Sequence, residues 1–374
     1  MAYFNENVSK LGFGLMRPPM NGDEIDIEQL KKMADMYLEA GFNYFDTAYG
    51  YVNGKSEEAV KKVLVERYPR DKFYLATKLP AWAGAKNKKE AEQMFYTSLE
   101  RTGAGYFDFY LLHNMGEGRT KYFDEYGIWD FVQERKKEGL IKHVGFSFHD
   151  KAASLEEILT KHPEAEFVQL QLNYADWLSP SVESKKCYET ARAHGKPVII
   201  MEPVKGGLLA TPPDAVGSIL TEANPNVSLP SWAIRFAASL EGVLTVLSGM
   251  SDISQMEDNL KTMKNFTPLT EEETDTVQKA ADTLASLPVV PCTSCKYCTE
   301  VCPNDIAIPG IFEAMNLYTL YGNLPFAKNK FFWNTKANGH KVASECVKCG
   351  KCEEACPQHI KIPDEIEKSI EIFE

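Results

Sequence analysis

The last quarter of the chain contains a cysteine pattern that occurs twice. The two copies hold Cys292, Cys295, Cys298 and Cys302, and then Cys346, Cys349, Cys352 and Cys356. Both read C-x2-C-x2-C-x3-C-P, and they lie 54 residues apart. The likeness continues past the motif, because segment 306–309 (IAIP) parallels segment 360–363 (IKIP). Eight thiols in a duplicated pattern constrain the fold strongly, since the chain must bring them together around whatever they bind.

This spacing is typical of proteins that hold two [4Fe–4S] clusters. Three closely spaced cysteines let one tight loop wrap a cluster, and the cysteine before proline ligates the other cluster. The spacing therefore predicts two ligand sets: Cys292, Cys295, Cys298 and Cys356, and Cys346, Cys349, Cys352 and Cys302. Two clusters would also stabilise a module that has no large core of its own.

Zinc is the alternative for clustered cysteines. Structural zinc sites use two CxxC pairs separated by a longer loop, with four ligands for each ion. The doubled spacing followed by proline favours iron–sulfur clusters instead. The ninth cysteine, Cys187, stands alone in a helical stretch, and we predict no chemical role for it.

Residues 1 to about 285 alternate short apolar runs with amphipathic stretches. Eight runs read as buried parallel strands: Leu11–Met16, Phe42–Phe45, Phe73–Thr77, Phe107–Leu112, Ile141–Phe146, Phe167–Leu172, Pro197–Met201 and Val243–Leu247. Eight strands alternating with helices predict a (β/α)8 TIM barrel. A doubly wound sheet is the rival, but it usually has fewer strands and a glycine-rich phosphate turn, and no GxGxxG occurs here.

Helix signals support this order. The stretches Asp26–Ala40 and Asp124–Glu138 each read as one helix that ends at a glycine. Thr270–Glu273 fits a capping box and opens a helix that runs to about Leu287. The linker 288–291 (PVVP) then separates a barrel domain, 1–287, from a small domain, 288–374.

The small domain is predicted to be mainly helical and ferredoxin-like. Helical patterns cover Ile311–Leu320 and Pro363–Phe373. The segment Pro325–Trp333 is aromatic and basic. We interpret it as packing, with a lid or an inter-domain contact as the alternatives.

Polar side chains follow three successive strands of the predicted barrel. Asp46 and Tyr51 follow the second strand, Lys78 ends the third and His113 ends the fourth. Strand ends meet at one face of such a barrel, where catalytic groups lie. Asp46 and Lys78 would pair, because an unpaired buried charge is costly. A lysine ammonium beside Tyr51 would lower the pKa of the phenol, which could then donate a proton to a developing alkoxide.

The barrel resembles the aldo/keto reductase family. The likeness rests on segments 45–51 (FDTAYGY), 76–78 (ATK), 111–114 (LLHN), 145–149 (GFSFH), 168–174 (VQLQLNY) and 202–207 (EPVKGG), and it covers about residues 8–285. The full chain resembles the ferredoxin-type members of anaerobic microbes. The resemblance implies that Tyr51 is the general acid/base, that Lys78 lowers its pKa, that Asp46 pairs with Lys78 and that His113 orients the carbonyl.

The resemblance also implies a nicotinamide nucleotide, NADPH or NADH. It assigns contacts with the nucleotide to Met16, Arg17, Asp46, Ser147, Gln169, Met201, Pro203, Gly206, Ser248, Gln255 and Asn259. Gly249 and Gln255 stand where the family often has Lys and Arg. Since Lys and Arg are what a 2′-phosphate binds, this departure weakens the case for NADPH.

Charge and hydropathy limit the classes of partner that the protein can have. The formal net charge is −12, which disfavours nucleic acid and anionic membranes. No apolar run is long enough to span a membrane, and the first ten residues lack a signal-peptide pattern, so we expect a cytoplasmic protein. The expected partners are a small carbonyl or alcohol substrate and an electron-transfer protein. The oligomeric state is left open.

The sequence thus predicts an oxidoreductase. The barrel would transfer hydride between a nicotinamide and a carbonyl or alcohol carbon, coupled to electron transfer through the two clusters. One alternative keeps the enzyme and makes the clusters structural or oxygen-sensing. The other makes the barrel a nucleotide-sensing partner of an electron-transfer protein.

Overall fold

The computed structural model describes residue 4 and residues 6–116, 118–180, 182–292 and 294–374. The chain forms two compact units. One contains the residues up to Ala210 together with Leu220–Gln278, and the other contains Thr211–Ile219 together with Lys279–Glu374.

Eight parallel strands close the first unit into a barrel. They are β1 Leu11–Gly14, β2 Tyr44–Asp46, β3 Tyr74–Leu79, β4 Phe107–Met115, β5 Ile141–Phe148, β6 Phe167–Gln171, β7 Val198–Met201 and β8 Val243–Ser248. Each strand pairs with its sequence neighbour, and β1 pairs with both β8 and β2 to close the ring. The predicted (β/α)8 barrel is therefore confirmed. A two-stranded hairpin, Met20–Asn21 with Glu24–Ile25, follows β1.

Side-chain alternation along the strands explains where the polar residues point. Tyr44, Ala76, Phe109, Phe167 and Ile199 are buried together in a cluster that fills the barrel interior. Successive side chains on a strand point to opposite faces, so every second residue points inward. The inward positions two residues beyond this cluster are Asp46, Lys78, Leu111, Gln169 and Met201, and beyond Leu111 comes His113. Apolar packing below thus directs the polar groups into the barrel mouth.

The helices have the following bounds: α1 Ile27–Glu39, α2 Lys55–Val60, α3 Lys88–Thr102, α4 Thr120–Glu125, α5 Ile128–Lys137, α6 Ala152–Lys161, α7 Ser184–Ala193, α8 Asp214–Ala223, α9 Leu229–Ser239, α10 Ile253–Met263, α11 Glu271–Ser286, α12 Tyr297–Glu300, α13 Ile308–Tyr321, α14 Leu324–Asn334, α15 Lys351–Glu354 and α16 Ile362–Phe373. None of the helices that the structure describes is long and apolar enough to cross a membrane.

The prediction of one helix over Asp124–Glu138 is wrong. The structure has two helices there, because Gly127 adopts a left-handed φ of 61° between α4 and α5. The predicted capping box is present: the Thr270 N–H donates to Glu273 Oε2 at 2.9 Å, and the Glu273 N–H donates to Thr270 Oγ1 at 3.2 Å.

The second unit repeats its backbone as well as its sequence. Residues with a positive φ recur at a spacing of 54 residues. The pairs are Ser294 and Lys348, Lys296 and Gly350, and Asp305 and His359. The longer helices α13 and α16 begin at the same spacing. Both copies therefore fold into the same loop–short helix–long helix unit. The buried core that the copies share includes Cys298, Cys352 and Cys356.

Candidate active site and cysteine-lined cavities

A buried ion pair stands at the centre of the barrel mouth. Lys78 Nζ lies 2.5 Å from Asp46 Oδ1, and the two side chains are almost completely buried. The ammonium also donates to the Thr47 carbonyl oxygen at 2.8 Å. Burial acts to lower the pKa of Lys78, but the charges and hydrogen bonds of Asp46 and Tyr51 outweigh it and raise the pKa. Lys78 is thus a cation fixed in a low-dielectric site.

Tyr51 completes a line of contacts from this pair. Its hydroxyl accepts a hydrogen bond from Lys78 Nζ at 3.3 Å, and the ammonium lies 4.8 Å from the centre of the ring. The residues after Tyr51 form a tight turn, in which Val52 and Asn53 adopt left-handed φ angles of 49° and 54°. The strained turn presents the Tyr51 hydroxyl directly to the lysine.

Two opposing effects act on the pKa of Tyr51. Burial raises the pKa of the phenol, and this is the larger effect, so that the net direction is upward. The charge and the hydrogen bond of Lys78 lower the pKa, which is the direction expected for a neighbouring ammonium. The lysine thus offsets part of the desolvation that would otherwise hold the proton still more firmly.

His113 lies beside Tyr51, with the ring centres 5.8 Å apart and nearly perpendicular. Burial and the nearby positive charge of Lys78 hold the pKa of His113 well below its ordinary value, so the imidazole is neutral. The backbone next to the ring is held firmly: Trp82 Nε1 donates to the His113 carbonyl at 2.8 Å, and the Asn114 N–H donates to Ser147 Oγ at 2.8 Å. A neutral, oriented imidazole can donate one hydrogen bond to a carbonyl oxygen.

Several buried polar atoms at the mouth have no hydrogen-bond partner among the described residues. They include the acceptors Gln169 Oε1 and Asp46 Oδ2. Gln169 Nε2 donates to Met201 Sδ at 3.4 Å, so that two of the predicted nucleotide contacts touch each other. Buried polar atoms are normally paired, so orphaned acceptors indicate a missing donor. A carboxamide and a ribose hydroxyl fit this need.

A cavity of about 300 Å³ lies at the side of the mouth. Of the predicted nucleotide contacts, it is lined by Arg17, Pro203, Gly206, Ser248, Gln255 and Asn259. Met16 is more than half exposed and is not among the lining residues, and Asp46, Ser147, Gln169 and Met201 belong to the mouth itself. The structure thus divides the predicted contacts between a mouth group and a cavity group.

The cavity has a cation, the predicted nucleotide contact Arg17. The Arg17 guanidinium lies 4.0 Å from where a Cβ on Gly249 would be, so it occupies the space beside the missing lysine position. The predicted contact Gln255 is held in place, because its amide donates to Asp252 Oδ2 at 2.9 Å and accepts from the Ser251 N–H at 2.9 Å. Among the described lining residues, Arg17 is the one cation.

A clamp behind the Tyr51 turn was not predicted from the sequence. Arg101, on α3, donates to the Tyr49 carbonyl oxygen at 2.9 Å and to Glu57 Oε2 at 3.3 Å. Glu57 is fully buried and accepts from Thr77 Oγ1 at 2.7 Å, next to Lys78. Gly54 must lack a side chain, since a Cβ there would lie 2.7 Å from Arg101 Cζ. An acidic and a basic residue on two amphipathic helices look like ordinary surface charges in the sequence, and only their burial reveals the clamp.

The eight clustered cysteines line two separate cavities. One is lined by Cys292, Cys295, Cys298 and Cys356, and the other by Cys302, Cys346, Cys349 and Cys352. Each cavity thus combines three cysteines of one copy with the last cysteine of the other, as predicted from the spacing. Apolar residues complete the walls, among them Phe312 and Ile360 in the first and Ile308 and Ile366 in the second.

This placement suits clusters better than single ions. Within the described part of the chain, no three His, Cys, Asp or Glu residues are placed to hold one metal ion. The thiols surround a cavity instead of converging on a point. A cubane cluster needs such a cavity, whereas a tetrahedral zinc ion needs four ligands that converge on one point. Cys187 lies far from the eight clustered cysteines along the chain, and its side chain is buried. Burial raises the pKa of its thiol to about 12, so it is an inert thiol.

The chain combines a closed (β/α)8 barrel, with Asp, Tyr, Lys and His at its mouth, and two cysteine-lined cavities. This combination is that of an iron–sulfur oxidoreductase. The chain belongs to the aldo/keto reductase family, whose model matches residues 10–282. Residues 291–361 match the 4Fe-4S dicluster domain.

Relatives and solved structures agree with this assignment. The chain is 26% identical over 306 residues to the uncharacterized oxidoreductase YqkF of Bacillus subtilis, which covers 73% of this chain and 92% of that protein. It is 28% identical to the holo form of aldo-keto reductase AKR11C1 from Bacillus halodurans, with a TM-score of 0.61 over 73% of this chain and 92% of that one. A Klebsiella pneumoniae aldo/keto reductase solved with NADP and acetate shares the fold at 20% identity, with a TM-score of 0.60 over 73% and 91% of the two chains.

The two perturbed pKa values predict a flat pH dependence of carbonyl reduction. With Tyr51 as the proton donor that the family resemblance implies, reduction would need a proton on Tyr51, and burial raises the pKa of Tyr51 above its ordinary value of 10.0. With His113 as the group that orients the carbonyl, reduction would also need a neutral imidazole, and the pKa of His113 lies well below 6.5. The turnover rate with para-nitrobenzaldehyde should therefore stay constant from about pH 6 to 9. A pH profile of the turnover rate with a midpoint near pH 6.5 would contradict a neutral His113. A rate that already falls before the pH has risen to 9 would contradict a protonated Tyr51.

Loss of the clamp should affect both stability and turnover. Arg101→Met leaves Glu57 buried without its cation, which should lower the free energy of unfolding by about 2–4 kcal/mol in urea titrations, since Arg101 is itself a quarter exposed. Turnover should fall about tenfold or more, because the Tyr51 turn loses its anchor. Adding Glu57→Gln should restore much of the stability but not the turnover. Lys31→Met, which breaks a pair with exposed Glu28, is the control and should change neither by much.

Proposed function

We propose that the barrel catalyses hydride transfer between a nicotinamide nucleotide and the carbonyl or alcohol carbon of a small substrate. The observation that carries the proposal is the contact chain from Asp46 through Lys78 to the Tyr51 hydroxyl, beside a neutral His113. Tyr51 is then a proton donor, Lys78 is the fixed cation behind it, and His113 is the hydrogen-bond donor beside it. A carbonyl that receives hydride needs both a proton and a polarised oxygen.

Each residue then has a defined task. Tyr51 donates the proton to the substrate oxygen as the carbon is reduced. Lys78 stabilises the phenolate that remains, because it already donates to the hydroxyl at 3.3 Å. Asp46 keeps Lys78 charged and in place. His113, neutral and held by Trp82 through its carbonyl, donates to the substrate oxygen and fixes its direction toward Tyr51.

The orphaned acceptors and the cavity are the parts suited to the nucleotide. When bound, the nicotinamide supplies the hydride. Gln169 and Ser147 would hold its carboxamide, and Met201 would pack on the ring. The cavity beyond would take the phosphates and the adenosine, with Arg17 as its cation. NADH and NADPH both remain candidates, because Arg17 partly replaces the charge that Gly249 and Gln255 lack.

We further propose that the second unit binds two [4Fe–4S] clusters that exchange electrons with the barrel reaction. The two cavities, each with four cysteines, support two clusters. Such clusters accept and release single electrons. A nucleotide that gives up its hydride as two electrons and one proton could reduce both clusters by one electron each, in a turnover in which no carbonyl accepts the hydride.

Tyr51→Phe tests the barrel assignment. It removes the proton donor and keeps the ring, so the reduction rate of para-nitrobenzaldehyde should fall about 100-fold or more while nucleotide binding, followed by fluorescence, is retained. Tyr110→Phe is the matched control, because the Tyr110 hydroxyl is buried in the barrel wall with no hydrogen-bond partner among the residues that the structure describes. Wild-type rates in Tyr51→Phe would refute the catalytic role.

The clusters are tested on protein purified without oxygen. Iron analysis should give about eight atoms per chain, and Cys349→Ser should lose up to half of them. The visible absorbance of the clusters should bleach when NADH or NADPH is added without a carbonyl substrate, as it does with dithionite, because a carbonyl would consume the same two electrons. Bleaching by dithionite alone would show that the clusters lie outside the reaction and favour the structural or oxygen-sensing alternative.

A further inference from the structure

Helix α14 of the second unit is unusual for this chain in both charge and exposure. Between Glu313 and Glu345 lie 31 residues with no acidic side chain, although the chain as a whole has a net charge of −12. The same stretch contains four lysines: Lys328, Lys330, Lys336 and Lys341. A local positive region within an acidic protein sets up a directed electric field at that surface.

Two large aromatic side chains lie in the middle of this region. Phe332 is 49% exposed and Trp333 is 57% exposed, and their rings meet edge to face with centres 5.9 Å apart. They are not displaced core residues, because the inner side of α14 is already filled by Ala327 and Phe331. Phe331 stacks on Phe373 with ring centres 4.9 Å apart. Exposed aromatic pairs of this size mark contact surfaces.

Two of the lysines beside the aromatic pair are available to a partner. Lys328 is four residues before Phe332 and therefore on the same helix face, and Lys336 lies in the turn that follows α14. Neither forms an ion pair with any residue that the structure describes, whereas Lys330 pairs with Glu313 at 3.0 Å. We define the docking face as Lys328, Phe332, Trp333 and Lys336.

We propose that this docking face binds a small acidic protein that carries a one-electron centre. The inference rests on the proposed electron-transfer role of the second unit. An aromatic centre flanked by lysines fits a partner with an apolar spot inside an acidic surface. The location fits too, because Phe331 of α14 lies in the same buried core as Cys298 and Cys352. On contact, the reduced carrier would lose one electron and the cluster module would gain one.

Binding is measured first, independently of electron transfer. The probes are two acidic carriers, a flavodoxin and a plant-type ferredoxin, and one basic carrier, mitochondrial cytochrome c, each titrated at low and high salt against the cluster-loaded chain. An acidic carrier should bind at low salt, weaken steeply as salt rises, and bind more tightly than cytochrome c. If neither acidic carrier binds, or if cytochrome c binds equally well, the proposal is overturned.

Variants locate the surface. Lys328→Glu combined with Lys336→Glu should weaken binding about tenfold or more and flatten the salt dependence, and Phe332→Ser with Trp333→Ser should weaken it about tenfold at all salt concentrations. Lys89→Glu combined with Lys264→Glu, at two exposed lysines of the barrel unit, is the charge-matched control and should bind like wild type. Unchanged binding in both double variants of the docking face, with iron content intact, would refute the docking face.

Two further results separate this proposal from the one on which it rests. Binding to the docking face without reduction of the clusters by the photoreduced carrier would sustain the surface and refute its electron-transfer use. Clusters that are reduced by NADH or NADPH while no acidic carrier binds would sustain the proposed function and refute the surface. Binding of the docking face to vesicles of phosphatidylcholine and phosphatidylserine, in preference to the carriers, would replace the acidic protein with an anionic membrane and overturn the proposal.

Discussion

The ion pair between Lys78 and Asp46 is the contact on which the rest of the site depends. A lysine with no exposed surface is tolerated only when a carboxylate neutralises it and its remaining hydrogens find acceptors. Asp46 and the Thr47 carbonyl use two of these donors, and the third reaches the Tyr51 hydroxyl. The hydrogen bonds that satisfy this one buried cation therefore fix the position of the Tyr51 hydroxyl, the proposed proton donor. The same charge helps to keep His113 neutral, so one pair sets the protonation state of two neighbours.

The turn that carries Tyr51 is held from its other side by a second buried pair. Glu57 and Arg101 do not touch the reacting groups, yet Arg101 binds the backbone two residues before Tyr51. The turn contains left-handed residues that would relax without such support. The two ion pairs thus act at opposite ends of one short segment, and the tyrosine hydroxyl lies between them.

Much of this arrangement could be predicted from the sequence. The eight strands follow from apolar runs bounded by Gly, Pro or Asp, and the cysteine cavities follow from spacing alone, because a duplicated motif leaves few ways to place eight thiols. The break at Gly127 could not be predicted, since a glycine inside a periodic stretch is compatible with a continuous helix. The pKa of Tyr51 could not be predicted either, because the balance between burial and the Lys78 charge depends on depth in the mouth. The Glu57–Arg101 clamp depends on how two helices pack, which no single stretch of sequence encodes.

The most direct measurement of the central claim follows the hydrogen itself. Para-nitrobenzaldehyde is reduced with a nucleotide deuterated at the transferable position of its nicotinamide ring, and the alcohol is examined by mass spectrometry. The account predicts one deuterium on the former carbonyl carbon, while the hydroxyl proton comes from Tyr51 and exchanges with water. An alcohol whose carbon carries only solvent hydrogen would contradict direct hydride transfer at the barrel mouth.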